Sequence, residues 1–350
     1  MPVKLKRSFR HLLLNFLFAT DAWYPQTNGV VVSLDSLRQA LVRKGVDVQV
    51  VHPGLFPRKP LPKYPEIKLA TTPWHFSAHA DLPNVDFVHI PTEGTLGITA
   101  RLVCQRRNLN FSTAMHTKFP EYAKILVGVP ESFGYRYLRW FHKPAISTIV
   151  QSPSQQEELL RHGFEKLDVV GGGVDVTKFQ PQTRVERMLP RLLFVGRVSK
   201  EKNIEAFLNL DMSATKVVVG DGPDYERLVR QYPNVEFKGY RFGSELVYEY
   251  AQADCLVFTS KTDTFGLTSC EAMACGTPVA AYPVTGPIDV IREGVSGFLN
   301  DDLDVAIKQC LTLDRDRVRQ EALRFSWEAV ADRFLSVHQR VANSPISEGM

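Results

Sequence analysis

Asp263 and Glu271 stand eight positions apart, with Phe265-Gly266-Leu267 between them. The residues just before, Cys255-Leu256-Val257-Phe258-Thr259, read as a short buried strand. Residues 267–274 read as a helix that stops at Gly276, and residues 277–281 as the next strand. A helix start offers backbone N–H groups without intrahelical partners and the positive end of the macrodipole, which suits a diphosphate. Asp263 lies ahead of those amides and Glu271 a turn or more inside the helix. Two carboxylates bracketing an anion site can grip hydroxyls on either side of a diphosphate, a sugar on one side and a ribose on the other. An ordinary strand-to-helix connection carrying two surface acids has the same spacing, and spacing alone leaves both readings open.

Other residues at strand ends could complete such a site. Gly196-Arg197-Val198-Ser199-Lys200-Glu201-Lys202 follows the apolar run 191–195. Arg197 and Lys202 could neutralise a diphosphate and stabilise it as a leaving group; taken alone, the segment also reads as a solvated basic loop. Gly220 and Gly222 end another strand-like run and would let the backbone approach a flat base. Gly29, after the first strand, could turn backbone amides toward a phosphate, although Asn28-Gly29 is equally a simple turn. His116 follows the run 110–115, where a histidine is more often structural. Glu93 and Tyr24, near other strand ends, are candidates to touch an acceptor. His75 and His79 have i, i+4 spacing but flank Phe76 in a Pro-rich stretch, so no metal site is expected there.

The elements that must position these residues alternate. Residues 12–19, 46–52, 85–90, 110–115 and 148–151 read as strands; 34–44 and 154–163 read as helices, the second capped by Ser154 and closed by Gly163. After a polar, Pro-flanked linker at 180–190, strand-like runs recur at 191–195, 216–220, 235–239, 255–259 and 277–281. This is the βαβ rhythm of parallel sheets covered by helices. It predicts an α/β chain of two Rossmann-like domains facing a central cleft, with ligands at the carboxyl edges of the sheets. The expected division is 1–180, 181–325, and a last helix at 326–342 containing Trp327 that returns to the first domain.

Composition bounds the class. A length of 350 residues suits two domains, and 44% apolar with 23% charged residues is ordinary for a globular protein. Five cysteines, an odd number without zinc-like spacing, fit a reduced cytoplasmic chain. Lys4, Lys6, Arg7 and Arg10 before an apolar run imitate a signal peptide, but the run is short, broken by Asn15 and better suited to a first strand. Residues 1–180 carry 22 basic and 14 acidic residues, a net of +8; the remainder carries 20 and 24, a net of −4. A basic first half suits a membrane surface or a phosphorylated acceptor, and ordinary charge scatter also accounts for it. Ser132 to Lys143 mixes aromatic and basic residues, either as a headgroup interface or as a helix packed into its domain.

The Asp263-x7-Glu271 element resembles the acid-x7-acid signature of the retaining nucleotide-sugar glycosyltransferases of family 4, which have the GT-B fold. Glu in both places is the common form; Asp263 is one carbon shorter and keeps the charge. Ala280-Ala281-Tyr282-Pro283-Val284-Thr285-Gly286-Pro287-Ile288-Asp289-Val290 is similar to the branch holding GDP-mannose-dependent α-mannosyltransferases and the sulfoquinovosyl- and glucuronosyl-diacylglycerol synthases. The likeness runs from about residue 20 to 327. It implies transfer of a hexosyl unit, mannose favoured, from a nucleotide diphosphate sugar to a lipid-linked or glycan acceptor, with no metal or cofactor. A UDP-sugar-dependent diacylglycerol glycosyltransferase is the alternative, and a silent nucleotide-sugar-binding protein a further one. The resemblance implies that Arg197 and Lys202 hold the diphosphate, Asp263 orients sugar hydroxyls and Glu271 the ribose. It places His116 at the transferred sugar, through its ring or its backbone carbonyl. Gly29, Gly196, Gly220, Tyr240, Phe265, Gly266 and Leu267 would line the donor. No nucleic acid partner is expected; an anionic surface on the cytosolic membrane face is. One departure is Gly172-Gly173-Val174-Asp175, where relatives of this branch tend to have Arg-Gly-Val-Asp, so a cationic contact to the donor is missing.

Overall fold

The structure, a computed structural model, describes residues 14–26, 28–61, 64–116, 120 and 130–343. The chain forms two compact units, one of residues up to 114 with 144–146, the other of 115–143 with 147 onward. The strands, in chain order, are β1 (Asn15–Ala19), β2 (Asp47–Val51), β3 (Arg58–Leu61), β4 (Tyr64–Ala70), β5 (Phe87–Ile90), β6 (Phe111–Met115), β7 (Ser147–Val150) and β8 (Leu167–Val169). They are followed by β9 (Arg191–Val195), β10 (Thr215–Val219), β11 (Glu236–Phe237), β12 (Cys255–Phe258), β13 (Val279–Ala281) and β14 (Gly297–Leu299). One six-stranded sheet has the order β2-β1-β5-β6-β7-β8 and the other β11-β10-β9-β12-β13-β14, while β3 and β4 form a separate antiparallel hairpin.

Central strands are apolar on both faces because both faces are covered. Phe16, Leu17 and Phe18 of β1 are buried, as are Leu192 and Leu193 of β9 and Leu256 and Val257 of β12. In each sheet the strand order reverses beside the first strand: β1 lies between β2 and β5, and β9 between β10 and β12. Such a reversal leaves a crevice outside the carboxyl ends of the strands, where open α/β sheets bind ligands.

Local chemistry moves several expected boundaries. The first helix runs Gly29–Arg43, five residues ahead of the expected start, because the Asn28 side chain accepts from Val31 N at 3.1 Å and caps it. The helix Pro153–Arg161 is capped by Ser152, which accepts from Gln155 N at 3.3 Å, and not by Ser154, whose hydroxyl is bonded to Asp289. The hairpin β3/β4, the helix Thr95–Arg107 and strands β8 and β14 had no expectation attached to them.

The segment 180–190 has no regular structure and is exposed, yet it is anchored. Val185 N donates to Gln252 Oε1 at 3.0 Å, Gln252 Nε2 donates to Thr183 O at 2.7 Å, and Arg184 pairs with Asp254. The last helix, Trp327–Asn343, returns to the end of β8: Arg333 donates to Val170 O at 2.7 Å and Arg340 pairs with Asp168 at 2.6 Å. The Trp327 ring fills the space beside Gly173, where a Cβ would lie 2.6 Å from it. Residues 1–13, with the basic cluster at the start of the chain, lie outside the described residues. All five cysteines are buried and free.

Candidate functional site

In the second unit the crevice between β9 and β12 gathers the charged candidates. The loop after β9 carries Gly196 and Arg197 and turns once through Lys200–Lys202 before Asn203, held in the left-handed region at φ 53°. That turn aims Lys202 across the crevice, where Nζ pairs with Asp263 Oδ1 at 2.5 Å. The two loops are also tied through their backbones: Thr259 Oγ1 donates to Lys202 O at 2.7 Å, and Asn203 Nδ2 to Thr259 O at 3.3 Å. Lys200, by contrast, is exposed. Lys202 and Asp263 are each about a quarter exposed, so the pair is partly desolvated and open to a ligand.

Gly266 sits at φ 88° and caps the helix Leu267–Ala274, a conformation that L side chains adopt at a cost. Phe265 ahead of it is buried edge-on to Phe325, with ring centres 5.6 Å apart, and anchors the loop. Gly286, at φ 96°, backs the same loop: a Cβ there would lie 2.9 Å from Asp263 O and 3.2 Å from Phe265 N. The amides of the helix start therefore face a fixed position. Gly172 is explained in the same way. A Cβ at 172 would lie 2.6 Å from the Phe265 ring, so the phenyl group fills the space into which a side chain would project.

Glu271, inside the helix, accepts from the Tyr250 hydroxyl at 2.7 Å. Burial pushes its carboxyl up from 4.5 to about 7; the Tyr250 hydroxyl and the Lys178 charge oppose that rise without cancelling it. The same burial, with the Glu271 charge, raises the Tyr250 phenol well above its usual value. Leu267 is half-buried at the first position of this helix.

Gly220 fits a role other than close approach of a base. A Cβ at Gly220 would lie 1.9 Å from Gly196 O, and one at Gly222 would lie 2.4 Å from Val198 O. These glycines let the turn after β10 lie directly on the turn that carries Arg197. Tyr240 is half-exposed and stacked on Phe242, ring centres 5.8 Å apart and 19° from parallel. The loop holding both rings is joined to the end of β10 by Gly220 N donating to Gly239 O at 2.8 Å. After β12, Lys261 places its ammonium 4.2 Å from the centre of the Tyr282 ring. His116 follows β6, and its carbonyl accepts from the Thr264 hydroxyl at 2.8 Å. That bond fixes the residue beside the Asp263 loop and uses one of the two lone pairs of the carbonyl that the sequence offered for a sugar contact.

The first unit holds the remaining candidates. Gly29 opens the helix Gly29–Arg43, so its amide belongs to the first turn. Tyr24 is half-exposed and donates to Asp35 Oδ2 at 3.1 Å. Glu93 precedes the helix Thr95–Arg107, and its loop is organised by a residue the sequence reading did not single out, Asp21. The buried Asp21 carboxylate accepts from Leu96 N at 2.9 Å, Gly97 N at 3.1 Å and the Thr92 hydroxyl at 3.1 Å. A Cβ at Gly94 would strike it at 2.5 Å. Burial raises its pKa and the backbone donors of Leu96 and Gly97 lower it, the rise prevailing. Tyr250, Thr264 and Gly286 were also missed, since each acts through a partner 21 or more residues away. Among the described residues no group of three His, Cys, Asp or Glu could hold a metal ion. Nor is any helix there long and apolar enough to cross a membrane.

The chain is similar to known proteins over nearly its whole length. Residues 189–315 match the family model described as glycosyl transferases group 1, and residues 27–178 the model described as glycosyltransferase family 4. A GDP-mannose-dependent alpha-mannosyltransferase of Mycobacterium tuberculosis is 27% identical, covering 92% of this chain and 95% of the relative. A sulfoquinovosyl transferase of Arabidopsis thaliana is 28% identical over 78% of this chain and 60% of its own. Among solved structures, a sucrose-phosphate synthase from Thermosynechococcus elongatus superposes with a TM-score of 0.77 at 19% identity, covering 95% of this chain and all of the other. An Anabaena protein solved with UDP and glucose superposes with a TM-score of 0.64 at 18% identity, covering 95% and 99%.

Proposed function

Because the chain belongs to the family 4 glycosyltransferases and has their GT-B fold, we propose that it moves a hexosyl unit, mannose in the favoured case, from a nucleoside diphosphate sugar to a hydroxyl of a lipid-linked or glycan acceptor, with retention. The observation that carries this reading is the crevice of the second unit. Lys202 meets Asp263 at 2.5 Å ahead of the helix start at Leu267, and Glu271 lies half-buried one turn on.

Each residue then has a task that follows from its chemistry. Lys202 and Arg197 neutralise the diphosphate as its bond to the anomeric carbon breaks, and the amides after Gly266 share that charge. Asp263, held by Lys202, accepts from sugar hydroxyls next to the reacting carbon. Glu271 accepts from the ribose. The His116 contact to the sugar runs through its imidazole or its backbone carbonyl, the carbonyl also accepting from Thr264. The acceptor hydroxyl attacks on the face the diphosphate leaves, and a departing phosphate oxygen takes its proton, so no enzyme nucleophile or metal enters the step. Catalysis is positioning and charge stabilisation. Tyr240 with Phe242 offers a ring pair against which a base can stack.

Calorimetry with GDP-mannose, UDP-glucose and UDP-sulfoquinovose tests the donor. GDP-mannose binding tightest supports mannosyl transfer, UDP-sugar preference moves the assignment to the glycolipid alternative, and binding of none refutes both.

The acceptor is taken to be presented at an anionic membrane surface, the reading that the helix Glu131–His142 supports. Tyr135, Leu138 and Phe141 are buried, while Phe133 and Trp140, seven residues apart on one face, are about half exposed. Arg136 lies 5.3 Å from the Phe133 ring, and Lys143 is exposed just beyond. Exposed rings beside cations suit a headgroup layer. Sedimentation with anionic vesicles is expected to be strong at low salt and to fall as salt rises, and to drop in an Arg136→Gln, Trp140→Ser, Lys143→Gln variant. Equal binding to neutral vesicles refutes the membrane reading and leaves a soluble glycan as acceptor.

A further inference from the structure

The helix Gly243–Gln252 sends a fully buried phenol to one oxygen of a carboxylate and leaves the other oxygen untouched. The Tyr250 hydroxyl donates to Glu271 Oε2 at 2.7 Å. Among the described residues no other group bonds to that carboxylate, and Glu271 is half-buried, so Oε1 stays open to a ligand. The phenol is held where it is. Its ring meets Phe179 edge-on, with centroids 5.9 Å apart and planes at 74°. The helix end behind it is pinned as well. The Thr277 hydroxyl donates to Tyr250 O at 2.6 Å, and Arg315 donates to that hydroxyl at 2.9 Å, to Ala253 O at 2.8 Å and to Ala251 O at 3.0 Å.

Few charges face this carboxylate. Lys178 acts on it from the segment after β8, and the Cys270 and Cys275 thiols of its own helix are kept neutral by burial. Burial and the Glu271 charge also keep the Tyr250 phenol protonated, so it is a standing donor. Glu271 titrates near 7, and the Tyr250 hydroxyl opposes the rise more than Lys178 does. A glutamate side chain has three torsions. Without a fixed donor its carboxylate spreads over several rotamers, and a ligand that needs one of them must collect it on binding. A donor anchored in the core removes that cost and favours the ionised form, which accepts hydrogen bonds and offers no proton.

We infer that Tyr250 is a positioning residue of the donor site, whose hydroxyl holds one oxygen of Glu271 so that the other is presented to the ribose diol of a nucleoside diphosphate. The inference rests on the donor reading above and adds to it a residue that touches no ligand. It also sets a pH dependence. Only the ionised carboxylate accepts from both hydroxyls of the diol, so the share of affinity that comes from the diol is full above pH 7 and falls as Glu271 takes up its proton. Between pH 8 and pH 6 the ionised fraction of a group titrating at about 7 drops about tenfold, and the diol's contribution drops by up to that factor.

GDP and UDP are titrated calorimetrically into the full chain, and the tighter of the two is compared with its 2′,3′-dideoxy counterpart at pH 6, 7 and 8. The two nucleotides carry the same phosphates, so the ratio of their dissociation constants isolates the diol. In wild type that ratio should fall about tenfold from pH 8 to pH 6. In Tyr250→Phe it should be roughly fivefold smaller at pH 8, and the midpoint of its pH dependence should move up, since the group that opposed the rise of Glu271 is gone. In a Glu271→Gln background, Tyr250→Phe should change the ratio no further, because its effect runs through that carboxylate. A purely structural role for Tyr250 predicts something else, with both nucleotides weakened alike and the midpoint unmoved, and that result overturns the inference. A wild-type ratio that does not change with pH overturns it too, whether or not the variant folds. Binding of neither GDP nor UDP refutes the donor reading itself, an outcome distinct from tight binding that ignores Tyr250.

Discussion

Replacing Glu271 by Gln separates what the residue costs the fold from what it does for a ligand. Its carboxyl is raised by burial from 4.5 to about 7. Between those values the folded chain keeps a proton that the unfolded chain has lost. Stability from this group is therefore full below pH 4.5 and is lost as pH rises through about 7. A shift of that size corresponds to at most about 3 kcal/mol, reached above pH 7. Glutamine keeps an oxygen for the Tyr250 hydroxyl and carries no charge. The variant should match wild type near pH 4.5 and be more stable at pH 8, by up to about 3 kcal/mol. In a unit of this size that amounts to a melting shift of roughly 6–10 °C. Scanning calorimetry at pH 5 and pH 8 reads it, following the transition that a bound nucleoside diphosphate moves. Binding should change in the opposite sense, the diphosphate weakening about tenfold as a charged acceptor for the ribose is lost. A melting difference of the same size at both pH values would show that the Glu271 carboxyl ionises as freely folded as unfolded, and the reasoning would fail.

Arg197→Ala and Lys202→Ala should each lower turnover about 100-fold or more with the fold retained, measured by donor consumption; near-normal rates in both remove the diphosphate assignment. Asp263→Asn frees Lys202 from its partner at 2.5 Å, so the bare diphosphate should bind as well as or better than to wild type while transfer is lost; weaker diphosphate binding contradicts the division of roles. Asp21→Ala leaves the amides of Leu96 and Gly97 without their acceptor in a buried place and should destabilise the first unit by about 2–4 kcal/mol, read by urea unfolding. Gly286→Ala should disturb the Asp263 loop at φ 96° and cost about 1–3 kcal/mol, with donor affinity falling alongside.

What the linear chain determined is what depends on neighbours in sequence. The runs at 191–195 and 255–258 become strands because their apolar residues must be covered on both faces, and residues 267–274 become the expected helix between a glycine at φ 88° and one at φ 75°. Alternation of such runs implies parallel sheets, and loops at strand ends carry the charged residues, so Arg197, Lys202, Asp263 and Glu271 were legible as candidates. Tertiary structure decided which of them meet. Strand order brings the loops after β9 and β12 side by side across 61 residues of chain, and only then does Lys202 find Asp263. Tyr250 reaches Glu271 from another helix, and the burial that pair shares is what moves the carboxyl toward 7. Gly172 and Gly220 are glycines because the Phe265 ring and the Gly196 carbonyl occupy the space a Cβ would need, distances that no local pattern encodes. Asp21 looks like any loop acid until a helix start 75 residues on points its amides at it. Pattern records the periodicity of burial. Contacts between distant loops follow from sheet order, which long-range packing selects.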